Sequence, residues 1–185
     1  MPMCDAYIPL DALSADAERE MLSRISELLI EHELRRTLDL VDDADADADA
    51  STKRARSIAW LSVLRHEAYV ASAPAQAPYY KFVVNVPEGQ ADDEFRISVT
   101  RDITLAVADA EGGRWPHPEF RVWVFTWEVA DGTWGSAGRI IRLDDLIDFV
   151  APQMREQAVK RLADRRRDDA RALLAAADVE TVANR

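Results

Sequence analysis

The sequence predicts an α+β domain. Two consecutive β-α-β units form one mixed four-stranded sheet with both helices on a single face, and a further helix follows at the C-terminal end. Three observations carry the prediction. Two strand-like runs, 2–9 and 80–87, each end in proline and each precede a helix-length amphipathic segment. Each helix is followed by a second apolar run, 58–64 in the first half and 121–129 in the second. A helical crossover between two strands of one sheet is right-handed and makes them parallel, so the two units together give four strands with one face left bare.

In chain order, the opening run Cys4-Asp5-Ala6-Tyr7-Ile8 alternates as a strand does. Ser14 is a helix N-cap, and Asp16 and Glu18 stand in the first turn, where the helix dipole favours negative charge. Met21, Leu22, Ile25, Leu28, Leu29 and His32 recur at three- and four-residue spacing, which gives a helix over about 14–34 with one apolar face. His32 is the titrating group on that stripe; it either looks into a pocket or is hydrogen-bonded at the helix boundary. The Asp-Ala alternation of 42–50 buries little and carries one sign of charge, the pattern of a flexible surface loop. A strand over 58–64, a short extended Tyr69-Val70 and a Pro/Ala connector over 73–78 close the first half.

The pattern then restarts. Strand 80–87 runs into a Gly89 turn, Asp92 caps a helix, and Phe95, Val99, Ile103, Ala106 and Ala110 form its apolar face up to Gly112-Gly113. A strand over 121–129, a turn over 130–138 and a short strand over 139–143 follow. The units therefore span 2–72 and 79–143 of a domain ending at 143, with 144–185 as a helical extension: a short helix over 144–150, a break at Pro152, and a charged helix over 153–177. The run Arg165-Arg166-Arg167-Asp168-Asp169 in that helix is expected to be a solvated face.

Composition narrows the function classes. A formal charge of −11 argues against nucleic acid or an anionic membrane as partner. Six of the aspartates fall within 39–50. The single Cys4 excludes an internal disulfide, and no Cys/His cluster has metal-ligand spacing. There is no signal-peptide pattern and no apolar stretch near the ~20 residues that span a bilayer, so a cytoplasmic protein is expected. Trp123, Phe125 and Trp127 share one strand face and, with Trp134, are more aromatic surface than an open sheet shows, which argues for an oligomer.

The candidate catalytic residue is Pro2. Removal of Met1 makes it an N-terminal secondary amine; an α-amino group has a pKa near ~8, which apolar surroundings lower. Such an amine can take a proton next to a carbonyl. Pro2-Met3, Ala6-Tyr7-Ile8-Pro9 and Leu13-Ser14-Ala15-Asp16-Ala17-Glu18 resemble the start of the tautomerase superfamily, the group of 4-oxalocrotonate tautomerase and macrophage migration inhibitory factor. Residues 128–138 are similar to that group's hairpin segment, with Trp134 at its pocket phenylalanine. Arg121-Val122-Trp123-Val124-Phe125 is similar to a pocket strand, with Trp123 and Phe125 at the two pocket positions.

The resemblance implies a homotrimer that acts on a small molecule with Pro2 as general base or acid. Trp123, Phe125 and Trp134 would be substrate contacts; beside the resemblance, His32 on the apolar stripe and Asn85 in strand 80–87 are further candidates. It implies no metal or organic cofactor, because the substrate carbonyl carries the charge. Two departures stand out. The arginines that hold a substrate carboxylate in acid-binding members are absent from Pro9-Leu10-Asp11-Ala12 and Pro87-Glu88-Gly89-Gln90, and there is no counterpart of the dehalogenases' water-activating glutamate. Keto-enol tautomerisation of an apolar or aryl 2-keto acid is the expected activity, with Lys81, Arg65 or Arg139 as possible enolate partners. The alternatives are a decarboxylase or hydratase with Pro2 as acid, and a non-catalytic trimeric binding module.

Overall fold

The computed structural model describes residues 3–38 and 48–177. Strand β1 (Met3–Pro9), helix α1 (Ala15–Leu38), helix α2 (Ala48–Ile58) and strand β2 (Trp60–His66) make the first unit. Two short strands, β3 (Tyr69–Val70) and β4 (Ala73–Pro74), lead to the second. That unit comprises β5 (Tyr80–Pro87), α3 (Asp93–Glu111), the single turn α4 (Pro118–Arg121) and β6 (Val122–Val129). A hairpin, β7 (Trp134–Ser136) and β8 (Arg139–Ile141), then α5 (Leu143–Val150) and α6 (Arg155–Ala176) complete the described chain.

The main sheet has the order β2-β1-β5-β6. The strands of each unit are parallel, and β1 and β5 meet antiparallel with Met3 opposite Asn85 and Tyr7 opposite Lys81. This is the expected tandem. Alternation divides the sheet cleanly: Cys4, Ala6 and Ile8 of β1 and Phe82, Val84 and Val86 of β5 are buried against Met21, Ile25 and Leu29 of α1 and Phe95, Val99 and Ile103 of α3. Both crossover helices therefore cover one face. Their ends follow local rules: Ser14 Oγ accepts from the Ala17 N–H at 3.2 Å, Asp92 accepts from the Phe95 N–H at 2.9 Å, and Gly112, with φ 59°, closes α3 in the left-handed region.

Several boundaries differ from the sequence reading. Residues 48–58 are a helix, not the end of a loop and the start of a strand. The buried residues of α2 are Ser51 and Ala55, so small residues make its inner stripe, while Arg56 on the outside donates twice to Glu27. With Ile58 as the one large apolar residue on that side, the stripe gives little periodic signal. The acidic run 39–47 lies outside the described residues. Strand β6 starts at Val122, because Arg121 ends α4 and is drawn into the interior.

The C-terminal extension packs back onto the first unit. Ile30, Leu34 and Ala55 form a second core with Leu143, Ile147 and Val150 of α5 and with Met154, Ala158 and Leu162. Leu162 lies against Gly89, where a Cβ would stand 3.2 Å from its Cδ1; with φ +84° that position suits glycine twice over.

Candidate functional site at the head of the first strand

The ladder registers assemble one end of the bare sheet face. Met3 pairs with Trp60 on one side and Asn85 on the other, and Asn85 pairs with Trp127. Because opposed residues point to the same side, Trp60, Met3, Asn85 and Trp127 form one row across all four strands. The next rows are Ser62, Asp5, Val83 and Phe125, then Leu64, Tyr7, Lys81 and Trp123. Trp60, Trp123 and Trp127 are 59, 60 and 58% exposed, which makes this an extended aromatic surface. Trp123 and Phe125 stack at 6.3 Å and 22°. The Lys81 ammonium stands 4.6 Å from the Tyr7 ring centre and 5.6 Å from that of Phe125, in cation–π range of both.

Pro2 lies outside the described residues; Met3 follows it in the chain. Asn85 shares the Met3 row. Phe125 and Trp123 share the face but sit one and two rows away, about 7 and 13 Å along the strands at ~3.3 Å per residue. Trp134 begins the separate β7–β8 ribbon opposite Ile141; its ring is half-buried and its indole N–H has no partner among the described residues. His32 does not join them. It lies in the helix layer, with Nε2 2.8 Å from Asp102 Oδ2, Ser98 Oγ 3.4 Å from Nδ1, and its ring edge-on to Phe95. Burial alone would raise the Asp102 carboxyl, but hydrogen bonds from Arg101 and His32 carry it below its ordinary value.

Two residues of the first row, Trp60 and Trp127, were not picked out from sequence as site residues. The period-two pattern already places Trp127 on the face of Trp123 and Phe125, but register alone shows which of the three shares a row with Met3. The tail arginines were also missed. Arg165 grips Glu128 with two 2.8 Å hydrogen bonds, and Arg166 grips Glu88 with two of 2.7 Å. Arg166 and the Asp131 N–H together pull the Glu88 carboxyl down to about 2. These clamps fix α6 at the ends of β5 and β6, the edge of the sheet where β1 begins. Residues 166–169 are exposed, as expected of a solvated face, and Arg165 is partly covered; what the sequence did not show is that Arg165 and Arg166 pair with glutamates far away in the chain. Of the other cations considered, Arg65 is held by Glu18 and Arg139 by Asp145.

Cys4 is buried and its thiol is pushed up to about 12, first by burial and then by Asp5, so it is no ready nucleophile. Among the described residues no group of three His, Cys, Asp or Glu side chains is placed to hold a metal ion. No described helix is long and apolar enough to cross a membrane.

With this geometry in place, known structures are informative. The chain is similar to Pt0534 inactivated by 2-oxo-3-pentynoate (TM-score 0.54, 17% identity, 75% of this chain and 94% of that one). It is similar to the macrophage migration inhibitory factor of Toxoplasma gondii (TM-score 0.53, 9% identity, 75% and 99%). A member of the cis-3-chloroacrylic acid dehalogenase family matches with TM-score 0.51 and 13% identity over 85% of this chain and 99% of that one. No protein-family model matches the chain, and no curated protein matches it in sequence. The fold is the one these solved structures share. It is the doubled, two-unit arrangement of that fold, with a helical extension packed onto its first unit.

Proposed function

We propose that the chain is a cofactor-independent keto-enol tautomerase whose general base is the amine of Pro2, exposed by removal of Met1. The observation that carries this reading is the row Trp60, Met3, Asn85 and Trp127: Met3, the residue after Pro2, has the exposed Trp60 on one side and Asn85 on the other, with the exposed Trp127 one strand further on. An amine among apolar rings loses part of the hydration that favours its charged form, so it is more often neutral and able to accept a proton. In ketonisation of an enol, that amine takes the hydroxyl proton as the carbonyl forms, and the resulting ammonium delivers a proton to the neighbouring carbon. The Asn85 amide N–H is the donor at this end of the face suited to the oxygen on which charge gathers. An aromatic floor suits an aryl or apolar 2-keto acid.

The exposed aromatic face supports a homotrimer. A surface with three tryptophans more than half exposed is a contact surface in search of a partner, and a fused 4-OT of the same fold is a symmetric trimer (TM-score 0.50, 12% identity). In such an assembly Trp123, two rows along the strands from its own Met3 row, serves a neighbouring subunit's site.

The test is ultraviolet-monitored ketonisation of phenylenolpyruvate by protein whose intact mass shows Met1 removed, beside Pro2→Ala. Loss of catalysis in the variant establishes the amine. Equal rates in both, or no activity in either, overturn the proposal.

A further inference from the structure

The opposite end of the sheet carries a second site. A cleft of about 480 Å³ opens where β1 and β2 end and β5 begins, lined by residues 9–12, 66–69 and 74–79 and by Trp115. That volume is in the range of small-molecule pockets. The antiparallel meeting of β1 and β5 puts it beside the first residue of the second unit's leading strand, as the Met3 row lies beside that of the first. No free amine is available there, because Tyr79 and Tyr80 lie within the chain. The place therefore suits binding and not proline chemistry.

Its walls are held from below. The Arg121 guanidinium, inside the protein, donates to the carbonyls of Pro78 at 2.9 Å and Trp115 at 3.3 Å, two residues of the lining, while its remaining charge is met by both oxygens of Glu111 at 2.7 and 2.6 Å. Its chemistry is one-sided. Asp11 and Glu67 contribute two carboxylates, and among the described residues no lysine or arginine lines the cleft. Two cations border it: Arg65 makes its bidentate pair with Glu18 and also feels the charge of Asp11, and Arg114 lies 5.3 Å over the Trp115 ring. Tyr69, Tyr79, Trp115 and His66 add four rings. Two ring nitrogens of this lining, His66 Nδ1 and Trp115 Nε1, are closed off from solvent and have no hydrogen-bond partner among the described residues. Rings and carboxylates around a preformed hollow recognise a cation with an apolar body, through ring quadrupoles and charge together.

We propose that this cleft binds an organic ammonium ion, with Asp11 and Glu67 facing the charge and Tyr69, Tyr79 and Trp115 enclosing the body. It is separate from the Pro2 end, and its test does not depend on any catalytic activity. The probe is protonated 2-phenylethylamine, set against 3-phenylpropionate, which has a similar body and the opposite charge. Affinity is read by calorimetry and location by the ¹⁵N-¹H indole signal of Trp115, assigned with Trp115→Phe. The amine is expected to bind at least about tenfold more tightly than the acid and to move the Trp115 signal; Asp11→Asn with Glu67→Gln should weaken it about tenfold. Asparagine tolerates the left-handed backbone at position 11, where φ is 55°, so the double variant is expected to fold. Pro2→Ala should bind the amine as the parent does. Equal affinity for amine and acid, an unmoved Trp115 signal, or undiminished binding by a folded double variant overturns the proposal.

Discussion

Arg121 offers the sharpest test of the packing. Its side chain is 5% exposed and that of its partner Glu111 is 1% exposed. The guanidinium makes five hydrogen bonds: to Glu111 Oε1 and Oε2, and to the carbonyls of Pro78, Trp115 and Pro116. Substitution Arg121→Met fills much of the same space but leaves a carboxylate buried without its cation and three carbonyls without their donor. Breaking a buried pair from one side costs about 3–5 kcal/mol. For a chain of this size that corresponds to a fall in Tm of about 6–20 °C, at 2–4 °C per kcal/mol. Urea denaturation and calorimetry measure both quantities, and 1 M salt should not erase the difference, since an enclosed pair is poorly screened. The double variant Arg121→Met/Glu111→Leu removes the stranded charge and should recover a large part of the loss. A single-variant loss below about 1 kcal/mol, or a double variant that loses the sum of both singles, would show that the pair is not desolvated as described.

Glu88 predicts an acid-dependent clamp. Its carboxyl ionises at about 2, against an ordinary 4.5, so the contribution to stability is fully present above 4.5 and is lost as pH falls towards 2. In Arg166→Ala the ¹³C titration of Glu88 should move back towards 4.5; an unchanged titration contradicts the clamp. On the bare face, Trp123→Glu should lower the assembly state in sedimentation while far-UV dichroism stays the same, and an unaltered sedimenting mass removes this face as the interface. Asn85→Ala should reduce kcat/KM for ketonisation about 10²-fold, the usual effect of losing one donor to a developing oxyanion, and a full-rate variant excludes Asn85 from that role.

The fold was legible because its two signals, period two in strands and period 3.6 in helices, are written by large side chains. Cys4, Ala6 and Ile8 alternate with Asp5 and Tyr7, and Phe95, Val99 and Ile103 repeat down one side of α3, each set entering the same core. Where the inner stripe is Ser51 and Ala55 the signal is silent, and α2 went unseen. Asn85 could be named from sequence, but the row it shares with Met3 could not, since a register shift of one residue would have turned it to the other face. His32 shows the converse: its place on the apolar stripe was clear, yet what it meets, Asp102 some 70 residues on, depends on how α1 crosses α3.

By itself the sequence determined the order of the four sheet strands and their two crossover helices, the pairing of the two units and the presence of a proline next to the first strand. These follow from local periodicity and from the handedness of crossovers, which act within a few tens of residues. The tertiary structure alone decided which aromatic residues share a row with Met3 and that Arg165 and Arg166 bind Glu128 and Glu88. It also decided that loops 9–12, 66–69 and 74–79 close around one cleft. Each of these joins residues far apart along the chain, and no local pattern encodes a pairing between distant partners; strand register and helix docking set them together when the core forms.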